Sequence, residues 1–318
     1  MRILFEAEIR LGREEKAIAI ACRMDSVESI NLAKKIMNFL QKRGENVALE
    51  SRICKRLGDP DLGMNLRAMT EDAVKFLISV GGDGSILRVF HNLPKKNMPP
   101  VLGVAKTGSS IAFLSESSEK TVFNDLSMIL ENKYIIEKCP RLATYLSKSP
   151  NTSIRLGDAL NEVLLSSIKP SKVMQISVKV NGEFLNYGYL DGLILSTATG
   201  STAYAFSAGG SIMAPSIEAI HLVPLNTYAR SGLVPMMFPK DSEFEITLLR
   251  DKLMGTLIID GQRAIMKVFP RNKIRVKMSE EIFKLIRVGK NINKSFFYRL
   301  REKILPTLRI PFKPSMKY

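Results

Sequence analysis

The run Phe76-Leu-Ile-Ser-Val80 leads straight into Gly81-Gly-Asp-Gly84, so an apolar strand ends in a glycine turn that carries one carboxylate, Asp83. Few arrangements restrict a fold more. A short apolar run bounded by a turn reads as a buried strand, and such strands belong to sheets covered by helices. Glycines at its carboxyl end let backbone N–H groups approach an anion without a Cβ in the way, and they permit positive φ. Asp83 can accept a proton from a hydroxyl or hold a metal. Asp-Gly also serves in ordinary hairpins, so the tetrapeptide alone leaves a phosphate site and a plain turn both open.

The flanking pattern favours an α/β sheet. Ala17-Ile-Ala-Ile-Ala21 reads as a buried strand, and apolar residues recur at Ile30, Ala33, Met37 and Leu40 in a helix from about Ser26 to Arg43 that stops at Gly44. Strands over Asn46–Leu49, Phe76–Val80 and Pro100–Val104, with a helix starting near Ser85, complete the pattern of an open parallel sheet. Ligands of such sheets sit off the carboxyl ends of the strands, where Asp83 falls. After a helix from about Ser118 to Asn132 the texture changes to short alternating strands, such as Lys172–Val180, a turn at Asn181-Gly182, and Glu183–Tyr187. Further strands are expected at Phe244–Leu249, Gly255–Ile259, Ala264–Phe269 and Lys273–Lys277. The expected organisation is an α/β domain over residues 1–132 and a mainly β domain over 133–292. The basic segment from about 293 to 318 either packs back on the first domain or trails as a charged tail.

Composition narrows the functional classes. With 318 residues, 45% of them hydrophobic, two ordinary domains with a large core are available. The net charge of +16 suits nucleic acid, an anionic membrane surface or polyanionic small substrates. No zinc-finger spacing or aromatic RNA-reading motif accompanies it. Three cysteines, Cys22, Cys54 and Cys139, lie far apart and fit a reducing cytoplasm rather than a disulfide framework. No run of about 18 apolar residues occurs, so neither a membrane span nor a leader is expected. His91 and His221 are the chain's 2 histidines, which makes histidine triads and histidine-rich metal sites improbable.

A second block, Asp191-Gly-Leu-Ile-Leu-Ser-Thr-Ala-Thr-Gly-Ser-Thr-Ala-Tyr-Ala-Phe-Ser-Ala-Gly-Gly210, carries too many hydroxyls and small residues for a core. A strand Gly192–Ser196 feeding a Thr/Gly/Ser turn and a helix is expected to present hydroxyls and N–H groups to a ligand. Together with Gly81-Gly-Asp-Gly-Ser-Ile-Leu-Arg88 and Leu160-Asn-Glu-Val163, this block resembles the NAD kinases, particularly their archaeal and bacterial forms. The resemblance runs over most of the chain in the expected order. It implies an α/β domain, a β-rich domain and an active site between them. It also implies phosphoryl transfer from ATP or polyphosphate to the 2′-hydroxyl of the adenosine ribose of NAD, a divalent cation such as magnesium, and a homodimer or homotetramer.

The resemblance also assigns residues. Asp83 matches the aspartate that activates the hydroxyl, a role in which a carboxylate takes the proton as the new bond forms. Gly81, Gly82, Gly84 and Ser85 would hold the donor phosphates. Arg88 reads equally as a phosphate partner or as a helix-surface arginine. Asn161 and Glu162 match the pair that holds the dinucleotide through amide and carboxylate hydrogen bonds. Asp191, Thr202, Ala203, Tyr204, Ala205, Phe206 and Ser207 match the stretch lining the NAD pocket, with Lys172 as a nearby basic position. Phe113 is expected to reach the adenine, and Gln262 belongs to a late Asp-Gly-Gln turn. The segment Gly103–Phe113 departs from the family's spacing, with Ala105 and Ala112 at expected Asn and Gly positions; Ala198 and Ser211 stand where proline is usual. Two other readings compete. One is a sugar-phosphate or lipid kinase sharing only the Gly-Gly-Asp-Gly turn, which leaves the second block unexplained; the other is a basic nucleic-acid-binding protein.

Overall fold

The computed structural model describes residues 16–106, 113–149, 152–169, 172–228, 232–251, 253–261, 263–288 and 292–304. The first part of the chain alternates strand and helix. It forms β1 (Ala17–Cys22), α1 (Val27–Gln41), β2 (Val47–Glu50), α2 (Ser51–Leu57), β3 (Gly63–Met64), β4 (Val74–Val80), α3 (Asp83–Asn92), β5 (Val101–Ala105), β6 (Ser117–Ser118), α4 (Val122–Leu130) and β7 (Tyr134–Cys139). Strands then dominate: β8 (Leu142–Ser149), β9 (Thr152–Ala159), β10 (Glu162–Ser167), β11 (Met174–Val180), β12 (Glu183–Leu190) and β13 (Gly192–Ser196). A short helix α5 (Tyr204–Ser207) precedes β14 (Ala219–Leu225), β15 (Met236–Pro239), β16 (Glu243–Leu248), β17 (Gly255–Ile259), β18 (Arg263–Val268) and β19 (Lys273–Met278). The described chain closes with β20 (Phe283–Val288), α6 (Ile292–Arg299) and a π-helical turn over Leu300–Ile304.

Local chemistry accounts for the elements of the first half. Ser26 caps α1 by accepting from the Ser29 N–H at 3.2 Å, and Leu32, Ala33, Ile36, Met37 and Leu40 form its buried stripe. In β1, Ile18, Ile20 and Cys22 point to the face covered by α1, α2 and α4, while Ala19 and Ala21 point to the face covered by α3. The sheet runs β3-β2-β1-β4-β5-β20-β7, with β6 beside β5. Every pairing in it is parallel except β20 with β7.

Two six-stranded antiparallel sheets form the second half, in the orders β15-β14-β13-β10-β17-β18 and β12-β11-β16-β19-β8-β9. Their inner faces share one core, in which Leu165, Leu193, Leu222 and Leu257 of one sheet meet Ile176, Phe244, Ile246 and Val276 of the other. This is the α/β plus mainly β architecture expected. The division of the chain differs from the one expected, however, because β7 and β20 both lie beyond residue 132 and yet belong to the first sheet. An alternating apolar pattern marks a strand but not the sheet it joins. The β sandwich is therefore an insertion between β7 and β20. Helix α6 returns to the first domain, where Phe296 packs edge to face on Phe113 with centroids 5.8 Å apart. Residues after 304 lie outside the described chain. Among the described residues no helix is long and apolar enough to cross a membrane.

Candidate active site

β4 ends at Val80 and the backbone turns at once. Gly81 donates its N–H to the Val104 carbonyl at 2.8 Å and adopts φ +148°, and a Cβ there would fall 2.2 Å from Ser85 Oγ. Only glycine fits. Neither backbone strain nor crowding demands glycine at 82 or 84, where an added Cβ would meet open space, so these two keep room beside the turn rather than permit it. Asp83 is the first residue of α3, and its carboxylate accepts from the N–H of Phe113 at 2.6 Å and of Leu114 at 3.0 Å. Each oxygen thus accepts from one of two consecutive amides, which fixes the orientation of the carboxylate.

The facing wall comes from the β sandwich. Asp260, at the end of β17 with φ +51°, accepts three consecutive amides: Leu160 at 2.9 Å, Asn161 at 2.7 Å and Glu162 at 3.1 Å. His91 Nε2, near the end of α3, lies 2.9 Å from the same carboxylate. One helix therefore carries Asp83 at its start and touches the Asn161–Glu162 clamp eight residues later, a span of about 12 Å along its axis.

The block after β13 docks onto this clamp. The Asn161 carbonyl accepts from the Thr197 N–H at 2.9 Å and from Ser196 Oγ at 3.2 Å, and Thr197 Oγ1 donates to the Leu160 carbonyl at 2.6 Å. A Cβ on Gly200 would lie 2.1 Å from the Asn161 oxygen, so glycine is required for the close approach. The hydroxyls expected to face a ligand are mostly turned inward. Ser201 Oγ donates to Ala198 O and receives the Met213 N–H, and Thr202 Oγ1 donates to Thr199 O. Ser/Thr side chains in such turns satisfy local backbone groups first. Ala205 seats α5 on the outer face of the sheet against Ile194 and Val223, which leaves Tyr204, Phe206 and Ser207 exposed.

Two polar atoms in this wall stand out. Asn161 Oδ1 and Glu162 Oε2 are buried with no hydrogen-bond partner among the described residues. Burial, and then the nearby Asp260 charge, pushes the Glu162 carboxyl up to about 8. At neutral pH Glu162 is therefore mainly protonated and can donate as well as accept. Adjacent unpaired buried groups are costly, about 1 to 3 kcal/mol each, unless a ligand completes them. His221 lies behind the block. It is opposite Ser196 in the ladder, its Nδ1 is unpartnered among the described residues, and burial lowers its pKa, favouring the neutral ring.

Other expected site residues are placed differently. Ser85 is buried beneath Gly81, with its N–H donating to the Gly82 carbonyl at 2.8 Å. Arg88 makes a bidentate pair with Glu50 at 2.6 and 2.7 Å and lines a cleft of about 220 Å³ with Arg52 and Arg67. Phe113 brings its amide to Asp83, while its ring is buried against Phe296 and lies under Arg299. Asp191 accepts from Asn226 Nδ2 at 3.1 Å and precedes β13, whereas Glu162 pairs with Ser196 at the other end of that strand. Five residues of strand put Asp191 roughly 16 Å from Ser196. Lys172 lies just before β11, whose Met174 pairs with Leu190, so it shares the Asp191 corner and not the Asn161 one. Gln262 lies outside the described residues. Asp260 belongs to the expected Asp-Gly-Gln turn and serves as the acceptor of the clamp, whereas neither histidine, both of which fall here, is marked by any motif in the sequence. No group of three or more His, Cys, Asp or Glu side chains suited to a metal ion occurs among the described residues.

Comparison with known proteins agrees with this layout. Residues 18–134 match the ATP-NAD kinase N-terminal domain and residues 160–288 the ATP-NAD kinase C-terminal domain. The chain belongs to the NAD kinase family. It is 30% identical over 289 residues to the NAD kinase of Methanothermobacter thermautotrophicus, covering 91% of this chain and 96% of that one. The Pyrococcus furiosus NAD kinase is 33% identical over 285 residues, covering 89% and 98%. Among solved structures, an Archaeoglobus fulgidus NAD kinase in complex with ATP superposes with a TM-score of 0.67 at 26% identity, covering 90% of this chain and 98% of that one. Yeast NADH kinase complexed with NADH shares the fold with a TM-score of 0.78 at 23% identity, covering 95% and 90%. The family is one of enzymes, and its two domains coincide with the two walls described above.

The Glu162 environment makes a pH-dependent prediction. The folded chain retains the Glu162 proton up to about pH 8, whereas an unfolded chain loses it near the ordinary value of 4.5. Between those values the folded state binds more protons, so the contribution of Glu162 to stability falls as pH rises through the window. Glu162→Gln should therefore raise the melting temperature by a few degrees at pH 8 and scarcely at all at pH 4.5, read by calorimetry without ligand. An equal gain at both pH values would show that Glu162 is not protonated in the fold.

Proposed function

We propose that this chain transfers a phosphoryl group from ATP, or from polyphosphate, to the 2′-hydroxyl of the adenosine ribose of NAD, forming NADP. The observation that carries the reading is the pairing of two walls. On one, Asp83 is oriented by two amides; on the other, the buried Asn161 Oδ1 and Glu162 Oε2 lack hydrogen-bond partners among the described residues. A ribose offers hydroxyls that both donate and accept, and an adenine edge offers the same to an amide, so a dinucleotide completes the second wall. Tyr204, 45% exposed, presents a flat face for a ring.

The chemistry asked of the protein is modest. Phosphoryl transfer depends on alignment and on neutralising charge at the transferring oxygens. Asp83, held by Phe113 and Leu114, accepts the hydroxyl proton as the phosphorus–oxygen bond forms, and the donor's leaving phosphate departs opposite. Gly82 and Gly84 leave the space in which donor phosphates approach. A divalent cation, for which magnesium suits phosphate oxygens and water, would arrive on the donor phosphates rather than in a cage of side chains. ATP and NADH occupy the Archaeoglobus and yeast relatives respectively, which supports nucleotides of both kinds in this fold.

Self-association belongs to the same proposal. β12 is an edge strand of its sheet and exposes Phe184 and Tyr187 with ring centroids 4.7 Å apart. An exposed edge bearing aromatics is a template for a second copy. A homodimer or homotetramer would cover it, in a reducing cytoplasm that suits the three free, buried cysteines.

Incubation with NAD, ATP and magnesium, followed by an NADP-specific dehydrogenase, should report NADP. Absence of product with ATP and polyphosphate across several divalent metals would end the proposal. Asp83→Asn is expected to lower kcat by about a hundredfold or more while the affinity for NAD changes little. Full activity of that variant would remove the proton-accepting role. Light scattering behind a sizing column should give two or four times the chain mass at micromolar concentration, and a monomer there would overturn the assembly.

A further inference from the structure

Four charged side chains unused by the chemistry are buried together behind Asp83. Arg287, on β20, donates to Glu137 of β7 through Nε, and its Nη1 reaches Glu116 at 3.4 Å. Arg299, the last residue of α6, reaches Glu116 at 3.3 Å and Glu137 at 3.8 Å. Arg287 and Arg299 are 3% and 5% exposed and the two glutamates 11% or less. A group like this is poorly explained by stability, since well-packed apolar residues of equal volume commonly serve as well or better. What apolar residues cannot do is hold specified polar atoms in place.

The atoms held belong to the segment that carries Asp83. Arg287 Nη1 donates to the Leu114 carbonyl at 2.8 Å, and the Leu114 N–H donates to Asp83 at 3.0 Å. Glu116 is itself anchored by accepting the Val288 N–H at 3.1 Å. The neighbouring Phe113, whose N–H is the other donor to Asp83, has its ring gripped twice by α6. Phe296 packs edge to face on it, and the Arg299 guanidinium lies 5.5 Å from its centroid. Both amides that orient Asp83 thus have their residues fixed from behind by β20 and α6.

We infer that Arg299 is a positioning residue for Asp83, and that α6 is the element through which the C-terminal part of the chain sets the geometry of phosphoryl transfer. The inference rests on the reading of Asp83 as the proton acceptor. Arg299 fixes Glu116 and the Phe113 ring, and these fix the amide pair. Loss of this support leaves dinucleotide contacts in the β sandwich intact and misaligns the one carboxylate whose placement governs turnover.

The test uses the full chain with Arg299→Met, which keeps side-chain length and removes the charge. Expected are a fall in kcat of about tenfold with KM for NAD and ATP within about twofold, and partial recovery in Arg299→Lys. Amide hydrogen exchange of the peptide spanning residues 113–117 should accelerate in the Met variant at a temperature where it remains folded. Phe296→Leu, which keeps apolar volume, should show the same two changes in milder form and serves if Arg299→Met does not fold. Unchanged exchange, or a folded variant with kcat within about twofold of the parent, overturns the inference. The exchange readout separates the two claims: accelerated exchange alongside a fully active Asp83→Asn enzyme keeps the positioning role and removes the proton-accepting one.

Discussion

The Asp260 carboxylate and its three amides are the contact on which the two-domain arrangement turns. Hydrogen bonds to a charged group contribute about 1.5 to 3 kcal/mol each, and three consecutive N–H donors form a concavity suited to an anion. The peptide so held is the one that the Thr197–Gly200 turn docks against, and His91 ties it to the helix that begins with Asp83. Removing Asp260 would leave three buried N–H groups without an acceptor. One side chain thus sets the relation of β10, the block after β13, and α3.

Asp83 and Asp260 both accept from backbone amides, in a chain whose net charge is +16. The choice matters chemically. Amide donors orient a carboxylate without contributing a full opposite charge. Buried arginines here are paired with buried carboxylates. Arg287 and Arg299 face Glu116 and Glu137, and Arg88 faces Glu50. The positive excess lies largely outside these balanced clusters.

Periodicity and glycine placement made the strand at Phe76–Val80, helix α1 and the Gly81–Gly84 turn legible from residues alone, because local sterics decide them. The Asn161–Glu162 pair and the Thr197–Gly210 block were legible through their resemblance to a family. Other features depend on long-range placement. A strand pattern at 134–139 carries no mark of its sheet, and Asp191 is close in sequence to Ser196 yet distant along an extended strand. Hydroxyl-rich composition suggested ligand contacts, but Ser196, Thr197 and Ser201 bond to backbone instead. The unpaired atoms of Asn161 and Glu162 are invisible until burial is known. Phe113 shows the same limit in reverse, since its backbone and not its aromatic ring is what meets Asp83.

The insertion of the sandwich between β7 and β20 has a temporal side. β20 sits inside the first sheet, between β5 and β7, and it also supplies the arginine behind Leu114. A ribosome reading from the N-terminus exposes β1 to β7 long before the strand that joins them. The α/β half therefore waits, with a gap in its sheet, while the whole sandwich is synthesised, and a chain cut short before residue 283 lacks both the strand between β5 and β7 and the arginine behind Leu114. The last strand of the described chain is thus also the one that completes the first sheet and backs Leu114.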